Sequence, residues 1–218
     1  MTAERATGLV LRVRPLTETS LIIHWLTREC GRVATVAKGA RRPKSPFRGK
    51  LDLFYEADFS FQRSRRSELH TLRELGLLRT HSELREDLGR LRQAAYCALL
   101  VEQVTEVETP LPGPCQLMEE LLAALCSMPA RAVTVLAFES RLMAELGVGP
   151  DLSDLPLSPG AGNLLRYCGS SSFSALSSLA PTPAQVAEMA FFLNRCLVES
   201  FQRVPRGRSH AIESDRFP

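Results

Sequence analysis

The first third of the chain alternates between apolar and polar positions. Within residues 6–14, Leu9, Leu11 and Val13 are separated by Arg12 and other outward positions, with Arg14 following. That is the period-two pattern of a half-buried strand. Pro15 ends it, because proline has no N–H to give to a ladder. Residues 20–26, SLIIHWL, predict a second and more fully buried strand. Glu29-Cys30-Gly31 is the turn of a hairpin, and residues 32–37, RVATVA, return as a third strand. Residues 51–61, LDLFYEADFSF, predict a long fourth strand. Its core face carries Leu51, Leu53, Tyr55, Ala57, Phe59 and Phe61, and its other face Asp52, Glu56, Asp58 and Ser60. Phe54 is the apolar exception on the polar face. Residues 63–66, RSRR, form a basic hairpin turn, and residues 68–74 a fifth strand. Trp25, Tyr55, Phe59 and Phe61 are assigned to the core. Five short strands in about 75 residues, joined by meander-like turns, fit a small closed barrel of the OB type.

After Leu78 the period lengthens. Leu84, Leu88, Leu91, Ala95, Leu99 and Val104 recur at roughly helical spacing and predict a long helix over 82–107. Ser82 is read as its N-cap, without a reciprocal capping box, because Arg85 stands at the third helical position. The run TPLPGP at 109–114 stops it. Further helices are predicted over 115–127, over 130–146 (closed by Gly147 and Gly149) and over 183–202. Thr182 caps the last of these, with Pro183 in its first turn. Residues 150–181, rich in Pro, Gly and Ser and including SPGAGN at 158–163, read as loop, and the tail 203–218 as frayed. The expected fold is α+β. An N-terminal OB-fold β-barrel over 1–80 is followed by an all-α helical domain over 81–218, with an irregular segment at 150–181.

Charge divides the same way. Residues 1–80 carry 16 Lys+Arg against 8 Asp+Glu, and residues 81–218 carry 11 against 16. A basic half joined to an acidic half implies two surfaces with different partners. The charge concentrates in residues 38–50, KGARRPKSPFRGK, where Lys38, Arg41, Arg42, Lys44, Arg48 and Lys50 stand with no acid. Two glycines and two prolines there deny regular structure. Positive side chains on an exposed loop between barrel strands can neutralise phosphates and release counterions. Arg65 and Arg66 in the RSRR turn extend this candidate surface. Single-strand binders also stack bases on aromatic rings, and Phe47 and Phe54 are the two aromatics that the pattern leaves exposed. The alternative for this pair is structural, with Phe47 pinning the loop to the barrel and Phe54 packed under a helix. Arg203, Arg206 and Arg208 follow the last helix, where they are expected to complement its C-terminal dipole, the alternative being an extension of the basic surface.

Catalytic motifs are missing from the sequence. There is no G-x-S-x-G, H-E-x-x-H or G-x4-G-K-[ST] run. His24 and Cys30 stand at no recognisable motif spacing, and His70 near Glu68 reads as polar surface. No catalytic residue and no cofactor is expected. The six cysteines, Cys30, Cys97, Cys115, Cys126, Cys168 and Cys196, are 67, 18, 11, 42 and 28 residues apart. Zinc sites use much closer pairs, so reduced structural thiols are expected and no metal. No apolar run approaches the roughly 20 residues that cross a bilayer. Residues 1–15 lack the form of a signal peptide, being interrupted by Arg12 and Arg14. A cytoplasmic protein without membrane contact is expected.

Several runs carry a family resemblance. GLVLRVRPLTETS near the start, GRVATVAKGARRPKS at 31–45 and the following GKLDLF resemble the N-terminal domain of the RecO family of recombination mediators. AFESRLMAELGVGPDL at 137–152 resembles the family's central helix, and LNRCLVESF at 193–201 its final helix. The resemblance implies an OB-fold followed by helices. It implies binding of single- and double-stranded DNA, annealing of complementary strands and work in the RecF pathway at the nucleoid. The implied partners are RecR and the acidic C-terminal tail of SSB, and indirectly RecA, which such proteins help load on coated DNA. Lys38, Arg41, Arg42 and Lys44 match the family's DNA-binding loop. An acidic tail ending in an aromatic carboxylate calls for an apolar pocket with a basic rim, for which Arg131 and Arg141 are candidates. Many members carry a four-cysteine zinc module after the P-D-L run, whereas residues 152–179 here hold only Cys168. An RNA-binding or protein-adaptor module is the competing reading of the basic loop.

Overall fold

Alternation in the N-terminal region closes into a barrel. The computed structural model describes residues 3–151, 153 and 155–213. These fall into two compact units, one drawn from Met1–His81 and Thr105–Gln116, the other from Ser82–Val104 and Leu117–Pro218. The first holds β1 (Glu4–Pro15), β2 (Leu21–Thr27), β3 (Gly31–Ala37), β4 (Glu56–Gln62) and β5 (Leu69–Arg79). Around the closed barrel the order is β1-β2-β3-β5-β4. Only β3 and β5 run parallel among these pairs, at Ala34↔Leu69 to Val36↔Thr71. This is a five-stranded Greek-key barrel of the OB type. A register shift between Val10 and Arg12 bends β1. The strand thereby pairs with β4 over Glu4–Leu9 and with β2 over Gly8–Pro15.

The interior is built from Val10, Ile23, Trp25, Val33, Ala37, Phe59, Phe61 and Leu72, with Tyr55 partly buried against them. Trp25 stacks on Phe59 at a 4.2 Å centroid distance. A buried indole N–H needs an acceptor, and Trp25 Nε1 donates to Thr35 Oγ1 at 2.8 Å.

The fourth strand is shorter than the apolar spacing predicts. Residues 51–55 form a turn in which Asp52 Oδ1 accepts the Leu53 N–H and Asp52 O accepts the Tyr55 N–H. Phe54 is left-handed (φ 63°). That departure breaks the alternation on which its exposed placement depended, and its side chain is 1% exposed. Phe47 is also buried and belongs to the barrel core together with Ala40.

Residues 105–111 are lashed to the barrel at the start of β3. Arg32 O accepts the Glu108 N–H, and the Arg32 guanidinium donates to Thr105 O. Gly31 (φ 66°) makes this possible, since a Cβ there would lie 1.8 Å from Thr109 O. Gly31→Ala is expected to cost about 3 kcal/mol or more, combining left-handed strain with a backbone clash. Gly49→Ala is the control. It shares a positive φ but would place its Cβ in open space, so about 1 kcal/mol is expected. Urea denaturation of the two variants measures the difference.

The second unit contains α1 (Leu88–Val104), the part of α2 (Pro112–Ser127) from Leu117 onward, α3 (Ala132–Glu145), α4 (Pro159–Ser170), α5 (Pro183–Phe201) and α6 (Arg208–Ile212). Residues buried all round α3 place it at the centre, packed against α1, α4, α5 and α6. The helix expected over 82–107 is two elements. Ser82–Glu86 is a 3-10 turn, and Asp87 rather than Ser82 caps α1, its Oδ1 accepting the Arg90 N–H at 2.8 Å. Thr182 caps α5 in a full capping box with Gln185, behind Pro183.

Two expectations of irregular chain are corrected. Residues 158–170 are not loop, because Ser158 caps α4 and Pro159 stands at its start, where proline suits a helix. A second 3-10 turn covers Ser174–Ser178. Residues 208–212 are not frayed, because Arg208 is drawn into the unit by Glu139. Leu152 and residues 214–218 lie outside the described residues.

Candidate nucleic-acid interface

The basic segment 38–50 joins β3 to β4 and is ordered by its backbone. Successive turn bonds run from Ala40 N–H to Ala37 O, Arg42 to Gly39, Ser45 to Arg42, Arg48 to Ser45 and Lys50 to Phe47. Gly39 and Gly49 take positive φ, which spares the turns the Cβ penalty. Below, Ala40 and Phe47 anchor the loop in the barrel core. Above, Lys38, Arg41, Arg42, Lys44, Arg48 and Lys50 are all exposed. Apolar anchors inside and cations outside give a preformed charged surface, which loses less entropy on binding than a floppy loop.

OB barrels bind oligonucleotides on the β2–β3 face, flanked by the β1–β2 and β4–β5 loops. Segment 38–50 is neither of those loops, yet it is fastened to the first. Thr19 O accepts the Arg41 N–H at 2.9 Å, and Ser20 Oγ accepts the Gly39 N–H at 3.3 Å. The cations therefore begin where β1 and β3 end and β2 starts, at Pro15↔Leu21↔Ala37.

The β4–β5 loop supplies Arg65 and Arg66, both exposed. Its first arginine, Arg63, is committed elsewhere, to Glu4 at 2.7 Å and Glu108 at 2.8 Å. His70, expected as polar surface, is 2% exposed. It stacks on Phe61, its Nδ1 accepts the Ser64 N–H, and its Nε2 meets Glu108 Oε1 at 2.5 Å. Since Nδ1 accepts, the ring proton sits on Nε2 and points at the carboxylate. His70 thus ties the β4–β5 loop to the 105–111 segment.

Basic residues on the outer face of β1–β3 did not stand out in the sequence. Arg12 pairs in register with His24, and Arg32 with Leu26. Parity could have found them, since Ile23, Trp25 and Val33 face inward and their neighbours must face out. A different character marks the outer side of β1, β4 and β5. A cavity of about 570 Å³ there is lined by Asp58, Glu74, Thr7, Ser60 and Arg5, with Glu29 from the β2–β3 turn. Its acids outnumber its one arginine, so that side repels phosphate.

Four proposed contacts are corrected. Phe47 and Phe54, at 7% and 1% exposure, offer no face on which a base could stack. Packing against the barrel accounts for Phe47, and the left-handed turn for Phe54. Arg131 and Arg141 are internal braces rather than a free rim. Arg131 donates to the carbonyls of Leu176, Ser177 and Leu179. Arg141 donates to Cys168 O and Ser171 O and lies 4.3 Å over the Phe173 ring. Carbonyls at helix ends lack intrahelical donors, and these guanidinium groups supply them.

Burial pushes the Cys126 and Cys168 thiols up to about 11 and raises that of Cys30, with Glu4 adding to the effect. Neutral thiols are poor nucleophiles and poor metal ligands. Among the described residues no cluster of three or more His, Cys, Asp or Glu is placed to hold a metal.

The fold and the basic surface together define a class: an OB-type barrel bearing a cationic loop, followed by a helical unit. Sequence comparison agrees. The family model described as recombination protein O N terminal matches residues 1–81, and that of recombination protein O C terminal matches residues 85–154. The DNA repair protein RecO of Symbiobacterium thermophilum is 34% identical over 148 residues, covering 67% of this chain and 57% of that protein. That of Exiguobacterium sibiricum is 31% identical over 150 residues, 69% of this chain and 59% of its own length. That of Bacillus subtilis is 31% identical over 146 residues, 67% and 56%. The chain belongs to the RecO family. The matched stretch spans 56–59% of the length of these curated relatives.

Proposed function

We propose that this chain is a DNA-binding recombination mediator that acts by charge, without covalent chemistry. It binds single- and double-stranded DNA through Lys38, Arg41, Arg42, Lys44, Arg48 and Lys50, extended by Arg65 and Arg66. The observation that carries this reading is the ordered loop with its cations turned outward and its apolar residues turned into the barrel. Complementary strands repel through their phosphates. A basic surface screens both backbones while leaving base edges free to pair, so annealing follows from the same surface.

Within the RecF pathway the protein works with RecR and the SSB tail and helps load RecA on SSB-coated DNA. Family membership supports these partners. With Arg131 and Arg141 committed to carbonyls, the receptor for an acidic tail is not assigned to them. No described helix is long and apolar enough to cross a membrane, and the proposed setting is the nucleoid in the cytoplasm.

The test is a salt titration of binding to labelled oligonucleotides, followed by annealing of SSB-coated strands. If six cations contact single-stranded DNA, log K falls against log salt with a slope of about −4. A slope near zero would remove the reading. So would displacement of DNA by folded RNA at equal phosphate concentration.

A further inference from the structure

Val13, Ile23, Trp25 and Val33 pack toward the barrel interior, so Arg12, Arg14, His24 and Arg32 lie on the outer face of β1, β2 and β3, Arg32 with its guanidinium already bonded to Thr105 O. Arg12 stands directly across from His24, Arg14 across from Ile22, and Arg32 across from Leu26. Direct cross-strand neighbours on one face lie about 5 Å apart and diagonal ones about 7–8 Å. His24 is therefore ringed by guanidinium groups from both flanking strands. The face continues at its Pro15–Leu21–Ala37 end into the loop that starts at Lys38.

We propose that phosphate docking on this outer face drives proton uptake by His24, so that nucleic-acid binding tightens as pH falls. This rests on the phosphate-binding reading above and adds to it the residue through which binding responds to acidity. In the free protein, burial first, then the charges of Arg12, Arg14 and Arg32, hold the His24 imidazole below its ordinary value of 6.5. The charged groups acting on it come from β1 (Arg12, Arg14) and β3 (Arg32), and all are positive. A phosphodiester seated beside exposed Arg14, at the end of the face that leads to Lys38, brings a negative charge close to His24. It removes part of the penalty on imidazolium. The bound state then holds more protons than the free state between the two His24 values. Affinity rises as pH falls through that window and is flat above it.

The experiment is binding of an oligo-dT strand at constant ionic strength from about pH 7.5 to about pH 5.5, the range in which histidine changes charge. Thymine does not titrate there. Binding is expected to be about threefold to tenfold tighter at the acid end, one proton allowing at most tenfold per pH unit. His24→Gln is expected to lose the slope. Calorimetry in two buffers of different ionisation enthalpy should register uptake of a fraction of a proton by the wild type and none by the variant. The His24 ring resonance, followed by NMR with and without oligo-dT, reports the same proton without any substitution. A flat wild-type profile, or an unchanged slope in His24→Gln, overturns the proposal while leaving phosphate binding intact. Absence of oligo-dT binding at every pH overturns both.

Discussion

Replacing Glu139 with alanine is expected to lower the unfolding free energy by about 3–5 kcal/mol. Glu139 lies on α3 and is 0% exposed. Its Oε1 accepts from the Tyr96 hydroxyl at 2.5 Å and from Arg208 Nε at 2.7 Å, and its Oε2 accepts from a terminal Arg208 nitrogen at 2.7 Å. The same guanidinium donates to Ala190 O on α5 at 3.0 Å. One carboxylate therefore joins α1, α3 and α6, and its arginine partner reaches α5. Burial, then the nearby Glu139 charge, raises the Tyr96 phenol far above its usual range, in keeping with its role as a donor to Glu139. Removing the carboxylate strands a guanidinium that is only 13% exposed, and an uncompensated buried charge is the expensive outcome. Tyr96→Phe removes one donor and keeps the ion pair, so a smaller loss of about 1.5 kcal/mol is expected. Urea denaturation followed by far-ultraviolet circular dichroism measures both. A loss below about 1 kcal/mol for Glu139→Ala would place the pair with ordinary exposed ion pairs and refute its anchoring role.

This network orders a C-terminal segment whose sequence alone suggests a frayed tail. From the sequence, Arg208 was one of three tail arginines after an apolar helix, and nothing local tied it to a carboxylate 69 residues away. Side-chain partners across such distances are set by packing, which periodicity does not report. The same limit hid the bracing roles of Arg131 and Arg141 and the burial of His70 against Glu108. The barrel was legible because strand alternation has a fixed parity, which β2 and β3 follow, whereas the register shift between Val10 and Arg12 puts Val10 in the barrel core in place of the expected Leu9 and Leu11. Parity failed at residues 51–55, where Asp52 competes for the backbone and Phe54 turns left-handed. Composition misleads at 158–170, where Pro159 and the glycines of SPGAGN suggest loop, although proline in the first turn suits a helix. The basic loop was legible as charge. Its order, its attachment to Thr19 and Ser20 and its apolar underside were not, because they depend on which residues the closed barrel brings beneath it.

That underside makes the second large effect testable without disturbing the fold. Arg41→Ala, Arg42→Ala and Lys44→Ala, made together, should cut single-stranded DNA affinity about 10²- to 10³-fold at low salt. The remaining binding should be flatter, with the salt slope smaller by about 2. Each phosphate contact contributes about 0.7 to the slope on single strands, and the contribution vanishes near molar salt. Three lost contacts therefore cost about 50-fold at physiological salt and more as salt is lowered. Alanine keeps the N–H groups with which Arg41 bonds Thr19 O and Arg42 bonds Gly39 O. Phe47 and Ala40 remain to anchor the loop, and all three replaced side chains are exposed. Stability should change by less than about 0.5 kcal/mol per site. The loss should be equal across oligonucleotide sequences, since phosphate contacts carry no base information. Fluorescence anisotropy at several salt concentrations reads both quantities. Parallel wild-type and variant lines on the log–log plot, separated by less than threefold, would mean that these cations do not touch the backbone.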